Sequence, residues 1–499
     1  MTSVVHPQPP AVVLGGGVAG LATAKLLARH HQSVLVLERD VRMRGTPEDA
    51  FRYWERGGVP QFRHSHAFLA RLRLSLLGHL PDVLARLRDI GVREIPLADM
   101  VPPGMRFRPH PDDEDVVLLA CRRATFEWAL RESTLAEPRV EVREGTSVSG
   151  LLGHSIDGKR PRVTGVRLED GTRVPASVVV DTLGRRSPVP AWLTALGAPA
   201  PAERVSDSGI FYLTRFYRFR PGKAPKHPSG LIASDLGWVK IAIFPGDADT
   251  FSITIGTPVD DRGLKRLADA KHFECFLQAF PSIAPWRRRG VSVPIDGEST
   301  PVRVMGQLRN RRRIYVDREG PLAPGLFVVG DAAYHSNPIY GRGCPSAIMQ
   351  ATFLDEAMAG HARDPIAAAR RLHDLSERHV RPFFDAAVAS DHRMLGHRRR
   401  ATLTDPAAFL VSVAEQALGW FLERGVLPAT RVDPVVFRGL LRVFHMLDAP
   451  ERLMRDPELL LHALPILART LSGDEPEERF VRVSRAEVLR RLDDEGRAA

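Results

Sequence analysis

Two glycine-rich stretches carry the residues most able to do chemistry. Gly15, Gly17 and Gly20 stand in G-x-G-x-x-G spacing within AVVLGGGVAGLATAKLLARHHQSVLVLE, residues 11–38. An apolar strand, a glycine turn, a helix from Leu21 to Arg29 and a second strand ending in Glu38 are expected there. That context is what a dinucleotide needs: glycines admit a pyrophosphate to the backbone, and the helix N-terminus presents unpaired N–H groups. Glu38, with Arg39 beside it, can take hydrogen bonds from a ribose diol. The competing reading is a glycine-rich turn in an ordinary α/β domain. The second stretch, GDAAYHSNPIYGRG, runs from Gly330 to Gly343 after the apolar run LFVV. Glycine costs conformational entropy and adds no packing, so something there should need bare backbone.

The elements around these stretches fit one site. GLFVV reads as a strand with Gly330 and Asp331 at its carboxyl end, where open α/β folds bind ligands. Pro338, Gly341 and Gly343 then shape a loop feeding the helix CPSAIMQATFLDEAMA, with Pro345 harmless in its first turn. The helix N-terminus would face a flavin pyrimidine and stabilise its negative charge, while Asp331 accepts from a ribityl hydroxyl. CRRATFEWALRE, Cys121 to Glu132, reads as a helix that places Arg123 near a phosphate; a plain surface arginine is the alternative. VEVREGTSVSGLL and VTGVRLEDGTRVPASVVVDTLG read as strands with a hairpin at Asp170-Gly171, ending in D-x-x-G-x-x-S from Asp181 through Gly184 to Ser187. A lone fingerprint serves FAD or NAD; its N-terminal place, followed by these flavin-type signals, favours FAD.

Together, GGGVAG…E, CRRATFEWALR, DTLGRRS and GDAAYHSNPIYGRG resemble the FAD-dependent monooxygenases of the para-hydroxybenzoate hydroxylase fold, over roughly residues 10–375. The resemblance implies FAD held by Gly15, Gly17, Gly20, Glu38, Arg123 and Asp331, with Pro338, Gly341 and Gly343 against the isoalloxazine. GGVPQFRHSHAFLARL also looks like an epoxidase and hydroxylase branch, which would bring Arg56, Gln61 and Arg63 near the cofactor. The implied activity uses reduced FAD and O2, through a flavin C4a-hydroperoxide, to hydroxylate or epoxidise an apolar small molecule. Two departures stand out. Leu183 replaces the aspartate the family usually carries before Gly184, so NAD(P)H would reduce the flavin either directly or through a separate reductase. Pro345 stands where many aromatic hydroxylases carry Asn.

The expected fold is α/β (α+β). A Rossmann-like FAD-binding domain spans 1–195 and 301–375, a β-sheet substrate domain is inserted at 196–300, and a helical region occupies 376–499. GIFYLTRFYRF, GLIASDLGWVKIAIFP and TFSITIGTP alternate like strands of a half-covered sheet. Tyr212, Tyr217 and Trp238, with Phe211 and Phe216, are candidate pocket residues or ordinary core aromatics. No general base stands out; His335 and Tyr340 are weak catalytic candidates, and His64 and His66 without a carboxylate do not make a metal site. Phenol hydroxylation gains from a base, whereas alkene epoxidation mainly needs a dry, shaped pocket.

Composition narrows the remaining classes. The chain has 499 residues, 44% hydrophobic and 26% charged, enough for several domains. Net charge is +11, almost all of it arginine, with only seven lysines, dispersed in short clusters such as Arg287–Arg289, Arg311–Arg313 and Arg398–Arg400. No basic face interleaved with aromatics suggests nucleic acid. Three scattered cysteines point to a reducing cytoplasm. MTSVVHPQPP lacks the form of a signal peptide. PELLLHALPILARTL would pack on the body or serve as lid, dimer face or membrane-surface contact. Competing functions are an FAD-dependent reductase or dehydrogenase of an isoprenoid-like substrate, a flavin halogenase (none of the six tryptophans forms W-x-W), and a non-redox binding protein on the same fold.

Overall fold

The computed structural model describes residues 8–102, 104–155, 160–224, 232–288, 290–295, 297, 302–361, 363–394, 419–476 and 483–498. The opening residues 1–7 and the Arg398–Arg400 cluster lie outside them. Five short strands form a parallel sheet in the order Leu326–Val328, Val178–Asp181, Ala11–Leu14, Val34–Leu37, Val140–Arg143. Four of the five are buried along their whole length, and three of these are wholly apolar, because both faces are covered. Val13, Val36 and Val180 face a helical layer of Val18–Leu27, Arg123–Leu135 and Gly343–His361. Val12, Leu14, Leu35 and Val179 face the meander Val148–His154, Arg162–Leu168, Arg173–Pro175. The first helix starts at Val18 rather than Leu21, so Gly17 is its N-cap.

The second layer is an antiparallel sheet in the order Ile232–Asp235, Lys240–Pro245, Thr250–Pro258, Ile210–Phe219, Ser292–Pro294. Arg303–Met305 also pairs with Ile210–Phe219, so this sheet reaches past residue 300. Ala202–Asp207 lies elsewhere, against Arg309–Ile314, which also pairs with Tyr334–His335. One sheet face is sealed by the helix Ala270–Gln278 and by Val488 and Leu492 of the terminal helix Arg485–Ala498. The described parts of 376–499 thus do not form one unit. The last helix serves the inserted sheet, while Pro457–Leu471 packs on 422–429 and Pro434–Phe444. No described helix is long and apolar enough to cross a membrane.

Candidate functional site

A cleft of about 360 Å³ runs between the two glycine stretches. Its near end is built by the first turn. Gly15 N–H donates to the Leu37 carbonyl at 2.8 Å, fixing the turn at the strand ends. An added Cβ at Gly20 would stand 1.8 Å from the Gly15 oxygen, so helix and turn can approach this closely only without a side chain. Gly17 caps the helix Val18–Leu27 with no side-chain bond, and Gly17, Val18 and Ala19 line the cleft. The leading amides therefore face it uncapped, as an anion requires. Glu38 closes this end: Oε2 accepts from Gly16 N–H at 2.8 Å and Oε1 from Asp40 N–H at 3.0 Å.

Arg56 and Gln61 line the same end, while Arg39 sits at the rim with its side chain 59% exposed. Arg56 is buried among acids, 3.1 Å from Glu38, 2.9 Å from Asp40 and 3.0 Å from Glu127. It holds the Glu38 carboxylate in place. Arg63 does not line the cleft; its guanidinium donates to the Arg52 carbonyl at 2.7 Å. Arg123 lines it, with Nε donating to Glu127 at 3.1 Å and Nη1 to Cys344 Sγ at 3.2 Å. Two supports were not evident from the sequence. Glu127 lies one helical turn after Arg123, and Arg42 braces the Gly16 carbonyl at 2.8 Å. The Arg123/Glu127 i, i+4 spacing was the available signal.

At the far end, Gly330 has φ +76°, and a Cβ there would stand 2.9 Å from that of Ala19. Here glycine is needed both for conformation and for approach to the first helix. Asp331, Pro338, Gly341 and Gly343 line the cleft, with Gly184 opposite. His335 Nδ1 lies 3.0 Å from Asp331 Oδ2. Burial opposes ionisation of Asp331, but His335 and Arg123 hold its carboxyl below the usual range. His335 Nε2 is buried and without a partner among the described residues. Tyr340 is placed differently: it is not among the cleft-lining residues, and its hydroxyl donates to Asp391 at 2.8 Å. Asp181 does not line the cleft either. It closes the D-x-x-G-x-x-S turn, accepting from Leu183 N–H at 2.9 Å and Ser187 Oγ at 2.5 Å.

The cleft continues into a small, mostly apolar recess of about 30 Å³ under the inserted sheet, lined by Tyr212, Ala242, Phe244 and Ile339 together with Thr214, Lys240 and Thr254. His64, Ser65, Met305 and Pro338 line both cavities and so join them. Burial pushes His64 down to about 4 and His66 to about 3, so both are neutral near pH 7. Of the three pocket aromatics expected, Tyr212 lies here. Tyr217 is on the opposite sheet face, donating to Glu274 at 2.9 Å within the core sealed by the helices. Trp238 packs edge-on against Phe276, 6.4 Å between centroids, on that core. Phe211 also belongs there, and Phe216 is covered by Phe51.

The residues present suit a dinucleotide with a ring system. Uncapped helix amides stand at one end, a bare-backbone loop and an unpartnered His335 nitrogen at the other, and an apolar recess opens beside the loop. Together with the two-layer architecture this is the FAD-dependent monooxygenase fold, which flavin halogenases share. Residues 13–70 match the NAD(P)-binding Rossmann-like domain family. Protein Rv3254 of Mycobacterium tuberculosis is 25% identical over an alignment of 510 residues, covering 94% of each chain. PqsL of Pseudomonas aeruginosa, a probable FAD-dependent monooxygenase, is 19% identical and superposes with a TM-score of 0.52 over 82% of this chain and all of its own. Another PqsL structure is a complex with 2-aminobenzoylacetate. The myxobacterial chondrochloren halogenase CndH, a variant FAD-dependent halogenase, is 17% identical, with a TM-score of 0.57 over 89% of this chain and 97% of its own.

Proposed function

We propose that the cleft binds FAD and that the protein is a monooxygenase acting on an apolar small molecule, by hydroxylation or epoxidation. One oxygen atom of O2 enters the product and the other leaves as water, with two electrons and two protons consumed. The observation that carries this reading is the continuity of the cleft with the recess, through His64, Ser65, Met305 and Pro338. A substrate seated where the cleft meets the recess would lie against the loop expected to hold the redox ring. When bound, the reduced flavin supplies the electrons that activate O2.

The chain's own residues bind, orient and exclude water. The uncapped amides after Gly17 hold the pyrophosphate. Glu38, pinned by Gly16 N–H and Arg56, keeps lone pairs for a ribose diol. Asp331 accepts from a ribityl hydroxyl and holds the Nδ1 proton of His335. Tyr212, Phe244 and Met305 keep the recess dry, which lengthens the life of any reactive oxygen species. NAD(P)H is the electron source, directly or through a reductase partner; Leu183 at the turn favours the partner. The three cysteines, all free, suit a reducing cytoplasm.

The test is the visible spectrum of the purified protein with added FAD, before and after anaerobic NADPH, followed by admission of O2. Bound flavin bands and O2-dependent reoxidation support the reading. A protein that takes up no FAD refutes it. Bleaching by NADPH dispenses with the reductase, and persistence of the bands calls for one.

A further inference from the structure

We propose that Asp391, in the helix Arg381–Met394 and outside every cofactor motif, is the positioning residue for loop 337–341; the role rests on the FAD reading of the cleft. Asp391 is fully buried. Its Oδ2 accepts from Asn310 Nδ2 at 2.7 Å. Its Oδ1 accepts from Asn337 Nδ2 and from the Tyr340 hydroxyl, each at 2.8 Å. Asn337 N–H in turn donates to Asn310 Oδ1 at 2.7 Å. One carboxylate therefore grips both ends of the segment that carries Pro338, and Gly341 follows at once.

The loop's own bonds are few, and one of them, Ile339 N–H to Asn337 Oδ1 at 3.3 Å, depends on the side chain that Asp391 holds. The loop has a single 3-10 turn, Pro338–Tyr340, closed by Gly341 N–H on the Pro338 carbonyl at 3.0 Å. A carboxylate is suited to the task because it accepts only, and three donors converge on it. The network extends to the recess. The Tyr212 hydroxyl donates to Asn337 Oδ1 at 2.5 Å, so the recess wall and the cofactor loop share one residue. A ligand that moves the Tyr212 ring therefore acts on the loop through Asn337.

Asp391→Asn tests this. An asparagine would present an N–H2 group where three donors already converge. The helix keeps independent anchors, Phe383, Phe384 and Val388 in the core and the Phe383 carbonyl bound by Arg342 Nη1 at 2.9 Å. The variant is compared with wild type and with Tyr340→Phe, which removes one donor only. Three quantities are read: hydrogen exchange of amides 337–343 in cofactor-free protein, FAD affinity by quenching of flavin fluorescence, and the position of the bound flavin's absorption band. D391N should raise exchange in that segment selectively and weaken FAD ~10-fold or more, the weight of about one charge-assisted hydrogen bond, with a shifted flavin absorption band. Y340F should move all three in the same direction by less, and it decides the matter if D391N does not fold. Unchanged exchange in 337–343, exchange raised evenly along the chain, or an unchanged FAD affinity would overturn the assignment. If wild type itself takes no FAD, the functional reading fails, and exchange in 337–343 alone decides whether Asp391 holds the loop.

Discussion

Gly17 and Gly20 sit three residues apart in one motif, yet the structure gives them different duties, and alanine separates them. At Gly17 an added Cβ meets nothing nearer than Arg56 Nη2 at 4.0 Å. Its φ of −79° and ψ of −169° suit alanine. The cofactor-free variant should lose under ~1 kcal/mol, the cost of a poorer N-cap. The new methyl instead projects into the cleft, where the pyrophosphate would lie. Backing the phosphate off costs one charge-assisted hydrogen bond, roughly 1.5–3 kcal/mol, or ~10- to 150-fold in FAD affinity. Gly20→Ala is the control. Its Cβ would stand 1.8 Å from the Gly15 oxygen and 2.7 Å from Thr182 Oγ1. That oxygen is held by the Thr182 hydroxyl at 3.0 Å and cannot retreat freely. Overpacking against backbone should cost about 3 kcal/mol or more with no ligand present. Thermal melts of the two apoproteins and FAD titration of Gly17→Ala decide the matter. A Gly17→Ala protein that binds FAD like wild type, or melts as low as Gly20→Ala, would refute the placement of the phosphate.

Two buried groups predict opposite pH dependences. Asp181 is fully buried, and burial raises its carboxyl to about 6. The folded state then binds more protons than the unfolded one between about pH 4 and 6, so this group's contribution to stability falls as pH rises through that window, by roughly 3 kcal/mol. Asp181→Asn should remove that part of the slope, read by denaturant melts at about pH 4.5 and about pH 7. His445 runs the other way. Its Nδ1 accepts from Ala70 N–H at 3.0 Å, and burial lowers it to about 4. Its contribution is present above about pH 6.5 and is lost as pH falls toward about 4. Acid should therefore loosen the segment 434–447 from the helix Ala70–His79 first, seen as early hydrogen exchange there; His445→Asn should abolish the pH dependence of that exchange.

What the sequence made legible was local. The first turn could be read because strand, glycines, helix and acid follow one another within 28 residues, 11–38, and backbone geometry ties each to the next. The second stretch could be read because Gly330 and Asp331 end a buried strand. Arg63 and Tyr340 were misplaced because direction, not position, decides whether a residue near a site enters it. Both lie beside cleft-lining neighbours and turn away to bind carbonyl or carboxylate oxygens. Arg42 and Asp391 were missed for a different reason. Their partners are brought close by tertiary packing, and no spacing announces a carboxylate that meets Asn310 and Asn337 from 81 and 54 positions away.

The pocket aromatics mark where more could have been read. Side chains alternate along a strand, so Tyr212 and Tyr217, separated by an odd number of positions, cannot both face one cavity. The burial pattern of Ile210–Phe219 hides this, being almost continuous. One face is covered by the helix Ala270–Gln278, the other by the cofactor layer, and hydropathy alone does not distinguish them. What does is the polar partner. On the face toward the cleft, Thr214 joins the Thr254 hydroxyl at 2.9 Å, Thr254 joins Ser65 at 2.7 Å, and His64 joins Thr214 at 3.1 Å. Parity carries these hydroxyls to the same side as Tyr212. Thr214, the strand's one threonine, therefore marks the cavity face, and Tyr212, two positions away, shares that face while Tyr217, three positions away, does not.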